Sequence, residues 1–144
     1  MAAAPSVSAR EDADARGDRR LISSDGPWEA SAGYSRAVVV ADACWVSGTT
    51  DAGPDGRSLH PGDPGAQAEA ALDTIERALG AAGFTMADVV RTRMYVTSVA
   101  SLPAVLAAHG ARFAATRPAS TAVIVAGLID PSLLVEIEAD ARRA

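Results

Sequence analysis

The chain contains no lysine, and all 13 of its basic side chains are arginine. This excludes a Schiff base on a protein lysine, and it excludes phosphate binding by a P-loop, which needs a lysine. Cysteine is nearly absent too, and a single Cys44 can form no disulfide within the chain. With one cysteine and two histidines, we expect no zinc site of the usual type, no other metal and no cofactor.

Positive charge and aromatic side chains are also scarce. The 13 arginines face 18 acidic residues, for a net charge of −5, and there are two each of Phe, Trp and Tyr. Nucleic-acid binding uses basic surface and stacking rings, so we expect no nucleic-acid partner. No apolar run approaches the roughly 20 residues of a membrane span, and the N-terminus lacks a signal-peptide core. These absences predict an acidic cytoplasmic protein that has no membrane partner.

The first 20 residues differ in composition from the rest of the chain. They are mostly small residues, with four arginines balanced by four acidic residues and no large apolar side chain before Leu21. Such a segment buries too little apolar surface to offset the entropy lost on ordering. The sequence therefore predicts a disordered extension over residues 1–20, followed by a single domain over residues 21–144.

From residue 36 onward, the apolar pattern alternates between periods of two and of about 3.6 residues. It predicts strands at 36–40, 44–49, 88–97, 121–126 and 133–141, and helices at 64–82 and 101–115. The first helix follows Asp63 as N-cap, with Pro64 in its first position. The order β-β-α-β-α-β-β is typical of an α+β fold, with a mixed sheet and two helices packed on one face.

The second face of that sheet lacks a covering layer. On the last strand, Glu136, Glu138 and Asp140 alternate with apolar residues, so the three acids share one face. Val123 and Val125 add apolar surface nearby. An uncovered face of this kind is typical of an oligomer interface.

Four stretches carry a family resemblance: GYSRAV at 33–38, VSGTT at 46–50, RPAST at 117–121 and VEIEA at 135–139. Together they resemble the Rid family (reactive intermediate deaminases, also called the YjgF family), from about residue 22 to the C-terminus. The resemblance implies a chorismate-mutase-like fold and a homotrimer. It also implies small-molecule clefts between neighbouring subunits.

The resemblance implies a chemistry as well, the hydrolysis of imines and enamines such as 2-aminoacrylate to 2-keto acids and ammonia. By position, Glu136 matches the family's water-activating glutamate, Tyr34 its pocket tyrosine, and Ser47 and Gly48 its Ser-Gly pair. The family's carboxylate-binding arginine is replaced by Ser120. One neutral hydroxyl cannot balance an anion, so we expect little activity on 2-aminoacrylate.

Arg93 and Glu138 complete the predicted substrate-binding set. Arg93 is predicted on the uncovered face, where it forms an ion pair with Glu138 or Glu136, or supplies the anion contact that Ser120 lacks. His109 falls on the apolar stripe of the second helix, which favours a hydrogen-bonded core residue over a catalytic base. Cys44 is predicted to be a small buried residue.

Several functions remain open from the sequence. The first is an imine or enamine deaminase acting at a cleft between subunits, with a tautomerase, dehydratase or cyclase as its enzymatic alternatives. The other is a non-catalytic trimer that binds a metabolite. The ribonuclease label attached to some relatives fits poorly with a lysine-free chain of net charge −5.

Overall fold

The computed structural model describes residues 7–10 and 18–144. The strands are β1 Ser8–Arg10, β2 Arg19–Ser23, β3 Ala37–Val40, β4 Ala43–Thr49, β5 Val89–Val96, β6 Ala119–Ile124 and β7 Val135–Arg142. The α-helices are α1 Pro27–Ala32, α2 Pro64–Ala81 and α3 Leu102–Arg112, and two 3-10 turns span Met86–Asp88 and Val99–Ser101. The seven strands form one mixed sheet in the order β1-β2-β3-β4-β7-β5-β6.

The predicted order β-β-α-β-α-β-β is confirmed from β3 to β7. Within it, β5 and β6 are parallel and are joined through α3, whereas β7 lies antiparallel between β4 and β5. The structure adds β1, β2 and α1 at the front of the domain, which the sequence did not predict. Among the described residues, no helix combines the length and the apolar character that a membrane crossing needs.

Part of the predicted N-terminal extension lies in strands. Ser8–Arg10 pairs with β2, and Arg19 and Arg20 pair with β3, so the expectation of disorder differs from the structure at these residues. Pairing through the backbone explains the difference, because it does not require apolar side chains. In addition, Ile22 of β2 is fully buried. The predicted disorder of residues 1–6 and 11–17 lies outside the described residues.

The two long helices cover one face of the sheet, as predicted. Asp63 caps α2 by accepting a hydrogen bond from the backbone N–H of Ala66 at 2.9 Å. The apolar stripe of α2, including Leu72, Ile75 and Leu79, is fully buried. It packs against β4, β7 and α3. Cys44 is buried in this core, as predicted, and burial raises the pKa of its thiol to about 11.

The other face carries the acidic row. Along β7, burial alternates residue by residue, and Glu136, Glu138 and Asp140 lie on the side away from the helices. On β5 the same alternation buries Thr92, whereas a register shift at the start of the strand buries Val89 and exposes Val90. This bulge explains why a strict period of two fails there.

Strand β6 forms one edge of the sheet, and all six of its residues are exposed. Val123 and Ile124 keep 42% and 45% of their surface accessible, which is high for apolar residues of a strand. An exposed apolar edge strand offers unpaired backbone groups together with apolar surface. This edge is therefore a candidate contact for a second chain.

Candidate functional site

A cleft of about 330 Å³ opens on the face of the sheet that the helices leave uncovered. Its lining comes from three strands and the loop after β6, and comprises Gly48, Tyr95, Val125, Gly127, Leu128, Glu136 and Glu138. Two carboxylates and a phenol thus project among glycine and apolar residues. The cleft combines apolar walls with a few convergent polar groups, as small-molecule sites do.

A β-bulge in β4 shapes one wall of this cleft. Val46 pairs with Ala139 and Thr49 with Ile137, so Ser47 and Gly48 together stand opposite Glu138. The bulge brings the backbone of Gly48 against the carboxylate of Glu136. A Cβ atom on residue 48 would collide with Oε1 of Glu136 and lie 3.0 Å from its Cδ. Residue 48 must therefore lack a side chain for Glu136 to take this position.

Arg36 holds the bulge from inside the protein. Its Nη2 donates hydrogen bonds to the carbonyl oxygens of Ser47 at 2.6 Å and Gly48 at 2.8 Å. The residue is only 9% exposed, and burial lowers the pKa of its guanidinium while Tyr34, Glu29 and Glu136 oppose that shift. A buried cation therefore lies behind the wall on which Glu136 rests.

Glu29 supplies a buried negative charge that interacts with Arg36. Its carboxylate accepts hydrogen bonds from the Ser23 hydroxyl at 2.7 Å, the Ser24 backbone N–H at 3.0 Å and the Ser24 hydroxyl. Burial alone would raise the pKa of Glu29, but these hydrogen bonds and Arg36 lower it. Glu29 therefore stays ionised, and the charges of Glu29, Arg36 and Glu136 alternate in sign.

The surroundings of Glu136 perturb its carboxylate. Burial, reinforced by the negative charge of Glu138, raises the pKa of Glu136, and Arg36 partly opposes the shift. Burial and Glu138 also raise the pKa of Tyr95, which keeps its phenol protonated as a hydrogen-bond donor. A carboxylate with a raised pKa exchanges protons closer to neutral pH, which is what general acid–base catalysis requires.

The structure brings together three of the predicted site residues, Glu136, Glu138 and Gly48, in one cleft. Ser47 and Tyr34 lie beside it rather than in its lining. The Ser47 hydroxyl donates to the carbonyl of Ser35 at 2.6 Å, and the half-exposed Tyr34 lies close to Arg36. In this single chain, the Ser47 hydroxyl therefore ties the bulge in β4 to the segment that precedes β3.

Arg93 forms ion pairs in this chain, which is one of the two roles predicted for it. Its Nη1 lies 3.0 Å from Oε1 of Glu138 and 3.3 Å from Oδ2 of Asp140. Two carboxylates already offset this guanidinium. An anionic substrate that binds Arg93 would have to compete with both of them.

Ser120 does not join Glu136 in this chain, although the sequence grouped the two residues. Ser120 pairs in register with Thr92, whose side chain faces the helices. The Ser120 hydroxyl accepts a hydrogen bond from the Thr92 hydroxyl at 2.9 Å. Adjacent residues in register share a face, so Ser120 faces the helix side of the edge strand and Glu136 the opposite side. A single site containing both residues therefore requires a second chain.

Two residues of the site were missed by the sequence analysis. Tyr95 lies on the same face of β5 as Arg93, and a phenol two residues from an arginine in a strand is a usable signal. Arg36 stands in the quoted GYSRAV motif, yet nothing in the sequence marks an arginine as buried. Its role emerges only from the tertiary contact with the bulge in β4.

We expect Gly48→Ala to impair the site while leaving the fold intact. The added methyl group would displace the flexible Glu136 carboxylate, and a displacement of about 1 Å can lower a reaction rate by roughly 100-fold. The measurement is kcat/KM together with Tm. Gly80→Ala, where a Cβ meets open space, is the matched control. An equal loss of activity in both variants would contradict the role of Gly48.

A mixed sheet covered by helices on one face, with a carboxylate-lined cleft on the other, defines a class of small proteins with chorismate-mutase-like folds. The family model described as Endoribonuclease L-PSP matches residues 26–143. The chain belongs to this family, which is also known as the YjgF/YER057c/UK114 or Rid family.

Similar proteins support this assignment over most of the chain. The crystal structure of Rv2704 from Mycobacterium tuberculosis, a member of the YjgF/YER057c/UK114 family, is 46% identical, with a TM-score of 0.79 over 87% of this chain and 99% of that one. SCO2049 from Streptomyces coelicolor is 36% identical over 86% of this chain and 92% of its own. The 3-aminoacrylate deaminase RutC from Acinetobacter baylyi is 30% identical over 83% of this chain and 94% of its own.

Proposed function

We propose that the protein is an enzyme that hydrolyses small imines or enamines to carbonyl compounds and ammonia, with Glu136 as its general base. The observation that carries this proposal is the position of Glu136. The carboxylate lies in a cleft, has a raised pKa and rests against a glycine backbone that a buried arginine fixes in place. This arrangement is costly for stability, and such sites are typically functional.

The chemistry requires one group that both accepts and returns protons. An enamine first becomes the imine by taking a solvent proton on carbon and losing an N–H proton to solvent. Glu136 then takes a proton from water as the water oxygen attacks the carbon of the C=N bond, and the nitrogen takes a proton from solvent to give a carbinolamine. The carboxylic acid then protonates the nitrogen as the C–N bond breaks. The electron pair of that bond leaves with ammonia, and the hydroxyl proton passes to solvent as the C=O bond forms. A carboxyl group with a raised pKa can serve in both directions.

The relationship to the Acinetobacter deaminase supports hydrolytic deamination over the alternatives. That relative is named for an enamine substrate, 3-aminoacrylate. A tautomerase, dehydratase or cyclase would also use Glu136 as a base. These activities release no ammonia, so the product separates them from a deaminase.

The substrate is proposed to differ from 2-aminoacrylate at its acid end. A bidentate arginine contributes two charge-assisted hydrogen bonds, worth roughly 1.5–3 kcal/mol each, and Ser120 can contribute neither. The loss corresponds to about 10²–10⁴-fold in rate on 2-aminoacrylate or 2-iminobutyrate, relative to an arginine-containing relative. A substrate that is uncharged at that end avoids this loss.

Ammonia release from an imine generated in situ tests the proposal. Alaninamide, converted to its imine by N-chlorination and elimination of HCl, provides an uncharged substrate. We expect the wild type to accelerate ammonia release above the buffer rate. A melting-temperature shift with the product, pyruvamide, but no acceleration would favour the metabolite-binding alternative and would contradict the enzyme.

We expect a homotrimer in solution, because the exposed edge strand β6 and the acidic face both lack cover in the single chain. A second chain at β6 would also bring Ser120 of one subunit towards the cleft of another. Light scattering should give three times the chain mass of 14.6 kDa. A mass of 14.6 kDa at micromolar concentration would contradict both the trimer and the shared cleft.

A further inference from the structure

A chain of three hydrogen-bonded side chains links the helix layer to the exposed edge of the sheet. His109 on α3 places Nε2 2.7 Å from the hydroxyl of Thr92 on β5, and that hydroxyl donates to the hydroxyl of Ser120 on β6 at 2.9 Å. Thr92 is fully buried, whereas Ser120 is exposed. The chain therefore passes through the core at Thr92 and ends at the exposed Ser120.

The direction of these hydrogen bonds follows from counting hydrogens. A hydroxyl carries one hydrogen, and that of Thr92 is used on Ser120, so Nε2 of His109 must be the donor to Thr92. Burial lowers the pKa of His109, so its imidazole is neutral near pH 7 with the hydrogen on Nε2. Ser120 already receives a hydrogen, which leaves its own free to point outward.

Packing alone does not account for this arrangement. Thr92 occupies a core position on the face of β5 that also carries Met94 and Val96, both buried. A valine has nearly the same shape as threonine and would avoid the cost of burying a hydroxyl. We therefore infer that threonine at this position serves hydrogen bonding rather than packing. Hydrogen bonds in series polarise one another, which makes the last hydroxyl a better donor.

We propose that Thr92 and His109 are positioning residues that fix the Ser120 hydroxyl as a neutral hydrogen-bond donor to an uncharged substrate oxygen, such as the carbonyl of an amide or ester. The proposal rests on the proposed function in one respect, since it places Ser120 at the cleft between subunits. A single neutral donor suits a carbonyl oxygen, whereas a carboxylate would also meet the negative charges of Glu136 and Glu138 across that cleft.

Binding of two product analogues tests this proposal without requiring turnover. The probes are pyruvamide and pyruvate, which differ at the end that Ser120 is proposed to hold, and their Kd values are measured by NMR titration. We expect the wild type to bind pyruvamide at least about tenfold more tightly. Ser120→Ala and Thr92→Val should each weaken pyruvamide binding by about 3- to 10-fold and leave pyruvate binding unchanged.

Two controls separate positioning from general damage to the fold. Thr92→Ser keeps the hydroxyl and should retain pyruvamide binding, and Thr121→Val removes the next hydroxyl on β6, which is in register with Arg93, and should have no effect. Nitrogen-15 NMR should show His109 with its hydrogen on Nε2 in the wild type, and a mixture of tautomers in Thr92→Val.

Three outcomes would overturn the proposal: tighter binding of pyruvate by the wild type, equal losses for both probes in Thr92→Val, or a His109 hydrogen on Nδ1. These outcomes are distinguishable from failure of the proposed function. A preference for pyruvamide without any ammonia release would refute the enzyme and support the role of Ser120. Ammonia release without that preference would refute the role of Ser120 alone.

Discussion

Replacing Glu136 with glutamine is expected to lower imine hydrolysis by about 10²–10⁴-fold, the range that general acid–base catalysis contributes. The amide preserves the size of the side chain and its contact with the Gly48 backbone, but it can neither take the proton from water nor return it to nitrogen. The expected loss lies in kcat, since the cleft keeps its shape. Steady-state ammonia release, with KM measured in parallel, checks this result.

Asp140→Asn provides the matched control for Glu136→Gln. Asp140 lies on the same strand and the same face, and it pairs with Arg93 at 3.3 Å, but it does not line the cleft. The control also removes one negative charge from the row, so it separates loss of the carboxylate at residue 136 from a general change in charge. If both variants lost activity equally, Glu136 would not be the base.

Stability should change in the opposite direction from activity in Glu136→Gln. The folded-state pKa of Glu136 lies above its ordinary value of 4.5, so the ionised carboxylate costs folding free energy above that pKa. This cost is absent below pH 4.5, where the group is protonated in both states. Relative to the wild type, the glutamine variant should therefore gain stability at pH 7 and lose that gain near pH 4, as measured by urea unfolding.

Replacing Arg36 with methionine is expected to destabilise the fold by about 3–5 kcal/mol, the usual cost of removing one partner from a buried ionic group. The change leaves the carbonyls of Ser47 and Gly48 without their donor, and it removes the cation whose charge acts on Glu29 and Glu136. For a chain of this length, the loss corresponds to a Tm lower by roughly 10–20 °C.

Arg142→Met is the control for Arg36→Met. Arg142 pairs with Asp42 at 2.9 Å, but its side chain is 68% exposed, and exposed pairs contribute about 1 kcal/mol or less. Both variants lose one arginine and its side-chain hydrogen bonds, so the difference between them reports the burial of Arg36. Equal and small losses of Tm would contradict the supporting role of Arg36.

Arg36→Met also affects the pH dependence of the proposed reaction. Arg36 is the group that lowers the pKa of Glu136 against burial and Glu138, so its removal raises that pKa further. Glu136 must be ionised to take a proton from water. The acid limb of the pH–rate profile is therefore expected to move to higher pH in the variant, measured at a temperature where the variant remains folded.

Local sequence patterns predicted much of this fold, because the apolar periods of β7 and α2 agree with their tertiary surroundings. The alternation of Glu136 with buried neighbours correctly predicted which face carries the acids. The same approach missed β1 and β2, where backbone pairing supplies the structure and composition gives little signal. A strict period of two also fails at Val89 and Val90, since a bulge shifts the period by one residue.

The site was harder to predict than the fold because its parts depend on contacts between distant elements. Glu136, Glu138 and Gly48 were found through motif positions, and the structure brings them together. Arg36 was missed because burial of an arginine depends on the bulge it supports. The link from Ser120 to His109 joins three elements, and no spacing in the sequence indicates a hydrogen bond between residues 17 or 28 positions apart.

The most direct test is a competition between two imines in one sample, the imine of alaninamide and the imine of alanine, with pyruvamide and pyruvate followed by NMR. We expect the wild type to accelerate the formation of pyruvamide at least about tenfold more than that of pyruvate, and Glu136→Gln to accelerate neither. Preferential formation of pyruvate, or acceleration that persists in Glu136→Gln, would contradict a Glu136-dependent deaminase of uncharged imines.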